Sequence, residues 1–425
     1  MTKRIFAIGL IFAGASIAWM ILGSTIFART YDREGSLSGK VASTWGTKQE
    51  QQPPTASFEW SEKRETTNTV NGKTEKKVTD EYVTRALPLD GSHIGVNLNL
   101  AHRQKGLLWY STYTVDFAGD YIFTNTMEHD GELTLKFPFP AGQAVYDNLQ
   151  FTVNGKPVAF TNQDNGAVIT TQLAAGATAK LNVTYKSQGL DAWRYKFGEN
   201  VTQVRDFEMQ MKTNFAAIDF PDNTLSATDK QRDGSGWKLT WRYSNLLSGF
   251  EIGMEMPQRL QPGPLAGQIS YFAPVSLLFF FFVMFVITTL RGIDLHPMNY
   301  FFLASAFFAF HLLLAYTADK MSIHGAFVLA SVVSVFLVVS YLRLAVGMRF
   351  AAVEAGISQF VYLVLFSYAF FFQGYTGLAI TIGAIATLFV AMQMTGRIKW
   401  SEKFAVKNVL PRVPLGPQVK ESWLE

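Results

Sequence analysis

Long charge-free runs and strict alternation divide this chain of 425 residues into two kinds of segment. Residues 5–28 hold no charge, and five further apolar runs fill the C-terminal part at 269–290, 298–317, 325–342, 355–375 and 377–395. At about 1.5 Å rise per residue, each is a helix that reaches or nearly reaches across a hydrocarbon core of roughly 30 Å. Lys3 and Arg4 precede the first run, as in a secretory signal. The run is longer than a signal's apolar core, and the bulky Ile26-Phe27 stands where a cleavage site needs small residues. An uncleaved anchor is expected, with a cleaved signal peptide as the alternative. Gly374 marks a tight turn between the last two runs.

Between the first run and the other five, apolar residues recur at every second position. Ile94, Val96, Leu98 and Leu100 share one face, as do Leu133, Leu135 and Phe137. Leu181, Val183 and Tyr185 repeat the pattern, followed by Phe207, Met209 and Met211. Trp237, Leu239, Trp241 and Tyr243 do the same, and so do Phe250, Ile252, Met254 and Met256. Period two predicts half-buried strands, here in antiparallel sheets with one face packed and one wet. Asn154-Gly155, between 151–153 and 157–160, predicts a two-residue hairpin, and Asp164-Asn165-Gly166 and Asp233-Gly234 mark further turns. Residues 36–57 are rich in Ser, Gly, Gln and Pro, which predicts an extended connector. The fold class is α+β: one N-terminal and five C-terminal transmembrane helices with a large, β-sandwich-like domain between them. The expected parts are an anchor over 1–28, a linker and domain start over 29–79, a β-rich domain over 80–265, a five-helix bundle over 266–396 and a basic tail over 397–425.

Charge adds orientation. Only 16% of residues are charged, against about 25% in ordinary globular chains. Residues 29–265 hold 25 Lys+Arg and 27 Asp+Glu, so the formal +4 of the whole chain comes from the membrane part. With six spans, one side receives Lys3, Arg4, Arg291, Arg343, Arg349, Arg397 and Lys399, while the opposite short loops carry only Lys320. The positive-inside rule makes the first side cytoplasmic and places 29–265 outside. The lipid bilayer is thus the first partner. Nucleic acid is not expected, because no dense basic stripe exists. No cysteine occurs, which excludes disulfides, thiol nucleophiles and Cys-ligated metals.

Chemistry-bearing residues are sparse. No acid or base stands well inside a predicted span, and such groups mark ion-coupled pumps. Only His311 lies at depth, where bonding to a helix carbonyl competes with a functional role. Ala379, Gly383, Thr387 and Ala391 recur every four residues, a close-packing face within the bundle or in a homo-oligomer. His296 and Pro297 read as the start of a helix, and Asp294 suits its positive end. Glu128, His129, Asp130 and Glu132 lie close together, but around a turn-like Asp-Gly. Trp237 and Trp241 read as core rather than as sugar-stacking platforms. No G-x-S-x-G, H-E-x-x-H or P-loop pattern occurs, and no cofactor or metal is expected.

Several stretches resemble the CreD family of inner-membrane proteins, also described as a cell-envelope integrity family. They are Leu295-His-Pro-Met-Asn-Tyr300, Phe307-Phe-Ala-Phe-His311, Phe366-Ser-Tyr-Ala-Phe370, the turn at Gly374 and Thr395-Gly-Arg-Ile-Lys-Trp400. In the outer region, Arg103-Gln-Lys-Gly-Leu-Leu-Trp-Tyr110 with Tyr113 is similar to the family's Arg/Lys-Gly-aromatic strand. Trp45-Gly46 with Gln49 and Pro53-Pro54 is similar to its Trp-Gly-x-x-Gln stretch. Lys399 departs from the acidic residue usual there. The resemblance implies a non-enzymatic bacterial inner-membrane protein with a periplasmic domain, tied to envelope integrity and β-lactam stress. Arg103, Lys105, Trp109, Tyr110 and Tyr113 form the candidate recognition surface toward an envelope protein or cell-wall component. A lipid or small-molecule transporter using His311 and a periplasmic cell-wall hydrolase are the alternatives.

Overall fold

The computed structural model describes residues 2–70, 73–163, 165–372 and 374–396. The expected tail, with Arg397 and Lys399, lies outside the described residues. The chain forms two compact units, residues 26–264 and the pair of segments 1–25 and 265–425.

The first helix, α1 (Thr2–Trp45), continues through the segment whose composition predicts a connector. Leu37, Val41 and Trp45 recur every four residues on one helical face, and they pack with buried Leu108, Tyr110 and Leu190. That contact holds the polar, glycine-containing turns of residues 36–45 helical, overriding weak local propensity. The helix stops at Gly46, whose φ of +86° suits glycine, and its N–H bonds the Ala42 carbonyl at 2.8 Å. A Cβ there would meet the Gln188 carbonyl at 2.6 Å.

Strands follow, labelled in chain order. An eight-stranded sheet runs β14 (Asp229–Asp233), β15 (Gly236–Ser248), β13 (Thr202–Thr213), β4 (Gly91–Lys105), β5 (Leu108–Thr124), β11 (Thr178–Leu190), β7 (Tyr146–Val153) and β8 (Lys156–Pro157). A five-stranded sheet runs β3 (Lys73–Leu87), β2 (Thr55–Val70), β6 (Gly131–Pro138), β10 (Gly166–Leu173) and β9 (Thr161–Gln163). A third, of β1 (Gln49–Gln51), β12 (Ala192–Tyr195) and β16 (Ile252–Glu255), completes the domain. Most pairings are antiparallel as expected; β13 with β4 and β1 with β12 are parallel.

All three sheets share one core, so the domain is a single large sandwich. Phe137 of the five-stranded sheet meets Phe117 at 6.4 Å and Phe151 at 5.7 Å, both from the eight-stranded sheet. Burying a side chain of this size contributes about 1.5–3 kcal/mol. Trp241 is wholly buried and donates its indole N–H to the Leu225 carbonyl, as a core tryptophan must. Trp237 is only half-buried, with Arg232 over its ring. Phe250 breaks the expected alternation: it is exposed, and β16 starts after it. Asn154 and Gly155 both take positive φ, as their two-residue hairpin requires.

Among the described residues, six helices are long and apolar enough to cross a bilayer. The first crossing is Lys3–Tyr31 of α1. Next come α2 (Pro262–Arg291), α3 (Pro297–Thr317) and α4 (Ile323–Ala345), then a fifth span, Phe350–Phe371, and a sixth, Thr376–Thr395. Pro297 is the first residue of α3, and His296 caps it by accepting the Met298 N–H. The fifth span starts five residues earlier than predicted, so Glu354 sits in its first turns, 2.5 Å from Arg291 at the end of α2. It alternates between α and π geometry, with π turns at Phe350–Ala355 and Phe360–Leu365. Ser276 of α2 donates to the Tyr362 carbonyl inside the second of them.

Candidate functional site

The β4–β5 hairpin carries all five nominated surface residues. Its strands pair without interruption from Gly91↔Ile122 to Lys105↔Leu108, closed by Gly106 at φ +65°. Alternation then sorts the residues. Arg103 and Lys105 are exposed, Trp109 is half-buried, and Tyr110 and Tyr113 are buried. Tyr110 belongs to the small core that grips α1. Tyr113 donates its hydroxyl to the Ala192 carbonyl at 2.8 Å, and burial raises its phenol well above the ordinary value. Gly189 faces that hydroxyl so closely that no Cβ would fit.

The hairpin also gathers residues far away in sequence. The Arg103 guanidinium lies 3.5 Å from the centre of the Trp45 ring, joining the two stretches of the outer region that carry the family resemblance. The Arg259 guanidinium lies 4.7 Å from the Trp109 ring centre. Gln261 forks onto the Trp109 backbone, accepting its N–H at 2.7 Å and donating to its carbonyl at 2.8 Å. His102 and Ser111 both bond the Pro257 carbonyl, and Gly263 donates to the Leu107 carbonyl. Gln49 is buried under the same region, donating to Ser187 and the Gln188 carbonyl. Two exposed cations, Arg103 and Arg259, thus stand on two aromatic platforms, with exposed Lys105 at the tip of the same hairpin. Cations over rings retain their charge for a ligand while their position is fixed. The residues missed at first, Trp45, Arg259 and Gln261, are brought in by tertiary structure alone; only Trp45 carried a motif signal.

The acidic cluster of the β6 turn is dispersed. His129 stacks on Trp60 and lies 3.6 Å from Glu62, while Asp130 accepts the Ala175 N–H at 2.7 Å. No group of metal-ligating side chains occurs among the described residues.

In the membrane unit, His311 is buried. One ring nitrogen bonds the Phe307 carbonyl of its own helix at 2.9 Å, and Trp19 and Phe310 meet the ring edge to face. Its Nε2 and the buried Trp19 indole N–H have no hydrogen-bond partner. Gln359 donates to Ser334, which donates to the Ala306 carbonyl, linking the fifth span, α4 and α3. The repeat in the sixth span divides: Ala379 and Gly383 are exposed, whereas Thr387 and Ala391 are buried. Asp319 and Lys320 form an ion pair at 3.6 Å, and His324 lies against the Phe371 ring.

The family model described as inner membrane protein CreD matches residues 268–401. No curated protein matches the chain. Among solved structures, a putative nutrient binding protein from Legionella pneumophila is similar at 13% identity with a TM-score of 0.29, over 46% of this chain and 74% of its own. An M1 zinc metallopeptidase from Deinococcus radiodurans is similar at 13% identity with a TM-score of 0.24, over 40% of this chain and 42% of its own. This chain therefore spans less than half of the metallopeptidase, and likeness at these scores carries no functional argument.

Proposed function

We infer that this chain, whose residues 268–401 match the family model described as inner membrane protein CreD, supports cell-envelope integrity and the response to envelope and β-lactam stress. In this reading it is not an enzyme. Its sandwich works as a recognition domain on the periplasmic face of a bacterial inner membrane, with both termini cytoplasmic. The observation that carries the reading is the hairpin where Arg103 stands over Trp45 and Arg259 over Trp109, with Lys105 exposed at its tip, beside the segment leading into α2. A cationic, aromatic surface suits an anionic envelope component, because charge steers the encounter and flat rings add contact at little entropic cost.

The test is complementation of a deletion strain. The wild-type gene should restore resistance to detergent, colicin and β-lactam, and a variant with Arg103, Lys105 and Arg259 all changed to Ala should not, at equal membrane abundance. A deletion strain indistinguishable from its parent would count against the envelope role. Full rescue by the triple variant would remove the hairpin from it.

A second reading, transport of a lipid or small molecule through the bundle, is favoured by the unpartnered Nε2 of His311. His311→Ala should then lose uptake or flipping, whereas unchanged complementation by that variant speaks for packing alone.

A further inference from the structure

We propose that the sandwich holds a second site, distinct from the cationic tip of the hairpin, for a small apolar organic acid. A cleft of about 410 Å³ opens at one end of the domain, bounded by the starts of β2, β4 and β13 and the ends of β3, β5 and β12. That volume falls within the usual range of small-molecule sites, about 300–1,000 Å³. Its floor is aromatic: Phe123, Tyr195, Phe197 and Phe207 are buried in the core and present ring surface to it. Prolines 53, 54 and 88 form a stiff lip.

The polar side of the cleft comes from β13. Thr202, Gln203, Val204 and Arg205 all line it, although alternation should turn every second residue away. Consecutive residues can share a cleft when a strand presents its edge rather than its face. The pairing agrees: Thr202 to Arg205 pair with β15 on one side, but β4 joins the other side only from Phe207. Asp206, at the point of joining, holds φ at +39°. A non-glycine residue in that region is strained, and such strain gathers at functional sites. The Asp206 carboxylate is not part of the lining; it lies 3.5 Å from His93.

Charge selects the ligand class. Arg205 is the single charged residue among those lining the cleft, and Gln203 orients it by accepting from its guanidinium at 3.1 Å. A permanently charged fork beside an aromatic floor fits a carboxylate carried on an aryl or alkyl group. A cationic ligand would meet unopposed positive charge there.

The experiment uses the full-length protein in amphipol and the soluble probe 4-phenylbutyrate, with 4-phenylbutyramide as its uncharged counterpart. Calorimetry should show saturable binding of the acid, weaker by about tenfold for the amide, as loss of one charge-assisted hydrogen bond implies. Arg205→Gln should bring both probes to the amide's affinity. Ala86→Trp, which fills the cleft from an exposed wall position, should abolish both, with the melting temperature unchanged. The proposal is overturned by three results: no saturable binding of the acid, wild-type binding in Ala86→Trp, or an acid preference that survives Arg205→Gln. None of them bears on the hairpin surface, which the complementation experiment tests separately.

Discussion

At the residue scale, the junction between β11 and β12 concentrates the constraints. Asp191 sits there at φ +66°, donating its N–H to the Ser111 carbonyl and accepting from Met256. Burial raises its carboxyl above the ordinary value; Lys48 works against the shift and Glu255 adds to it. A raised folded-state pKa means that the native state holds the proton more tightly than the unfolded chain. The stabilising contribution is therefore complete below the unfolded value and is lost as pH rises through the folded one. At neutral pH the ionised Asp191 is a net cost. Asparagine keeps the side chain's shape, tolerates the left-handed backbone and removes the charge. Asp191→Asn should raise the thermal midpoint at pH 7, and the gain should shrink as pH falls through the raised folded value and vanish below the unfolded one, about pH 4. Melting curves of the two proteins across that range check both the sign and the window.

At the element scale, the β4–β5 hairpin is a clasp. It packs on the Leu37–Val41–Trp45 face of α1 and, through Gln261 and Pro257, holds the segment that becomes α2. Gln261→Ala removes two hydrogen bonds to the Trp109 backbone and should cost about 1–2 kcal/mol. The loss should be local, because the sandwich core does not reach Gln261. Hydrogen exchange should quicken at Trp109 and its neighbours while amides of β11 and β13 keep their protection; uniform acceleration would contradict a local clasp. The strands and spans themselves were legible, because period two and long charge-free runs are local signals. The last turns of α1 are not legible as helix. Their apolar residues stand four apart, a helical spacing, but Ser, Gly and Thr around them lower local propensity, and the stabilising partners come from the hairpin and β11. The candidate surface was half legible for the same reason. Alternation placed Trp109 and Tyr113 together, but it could not show that Tyr113 bonds Ala192, or that Arg259 approaches Trp109 from 150 positions away.

At the scale of the molecule, orientation rests on where the bundle collects its charge. Arg4 pairs with Asp294 at 2.9 Å and Arg291 with Glu354 at 2.5 Å, joining the N-terminal end of α1, the end of α2, the start of α3 and the start of the fifth span. At the same helix ends Lys3, Arg343 and Arg349 add positive charge, and the short loops there hold no further acid. The opposite loops offer only Asp319 and Lys320, which neutralise each other. Short cytoplasmic loops carry the excess of Lys and Arg, so the net positive end should face the cytoplasm. The absence of cysteine makes this directly measurable, because each introduced thiol reports alone. Asn200→Cys, on an exposed turn of the sandwich, should react with a membrane-impermeant maleimide in cells whose outer membrane has been opened. Met348→Cys, in the exposed turn after α4, should react only once the inner membrane is broken. The reverse pattern would invert the protein and turn both the hairpin and the cleft towards the cytoplasm. Labelling of both positions in intact inner membranes would instead give the chain an even number of crossings between them, against the odd number that three intervening spans require.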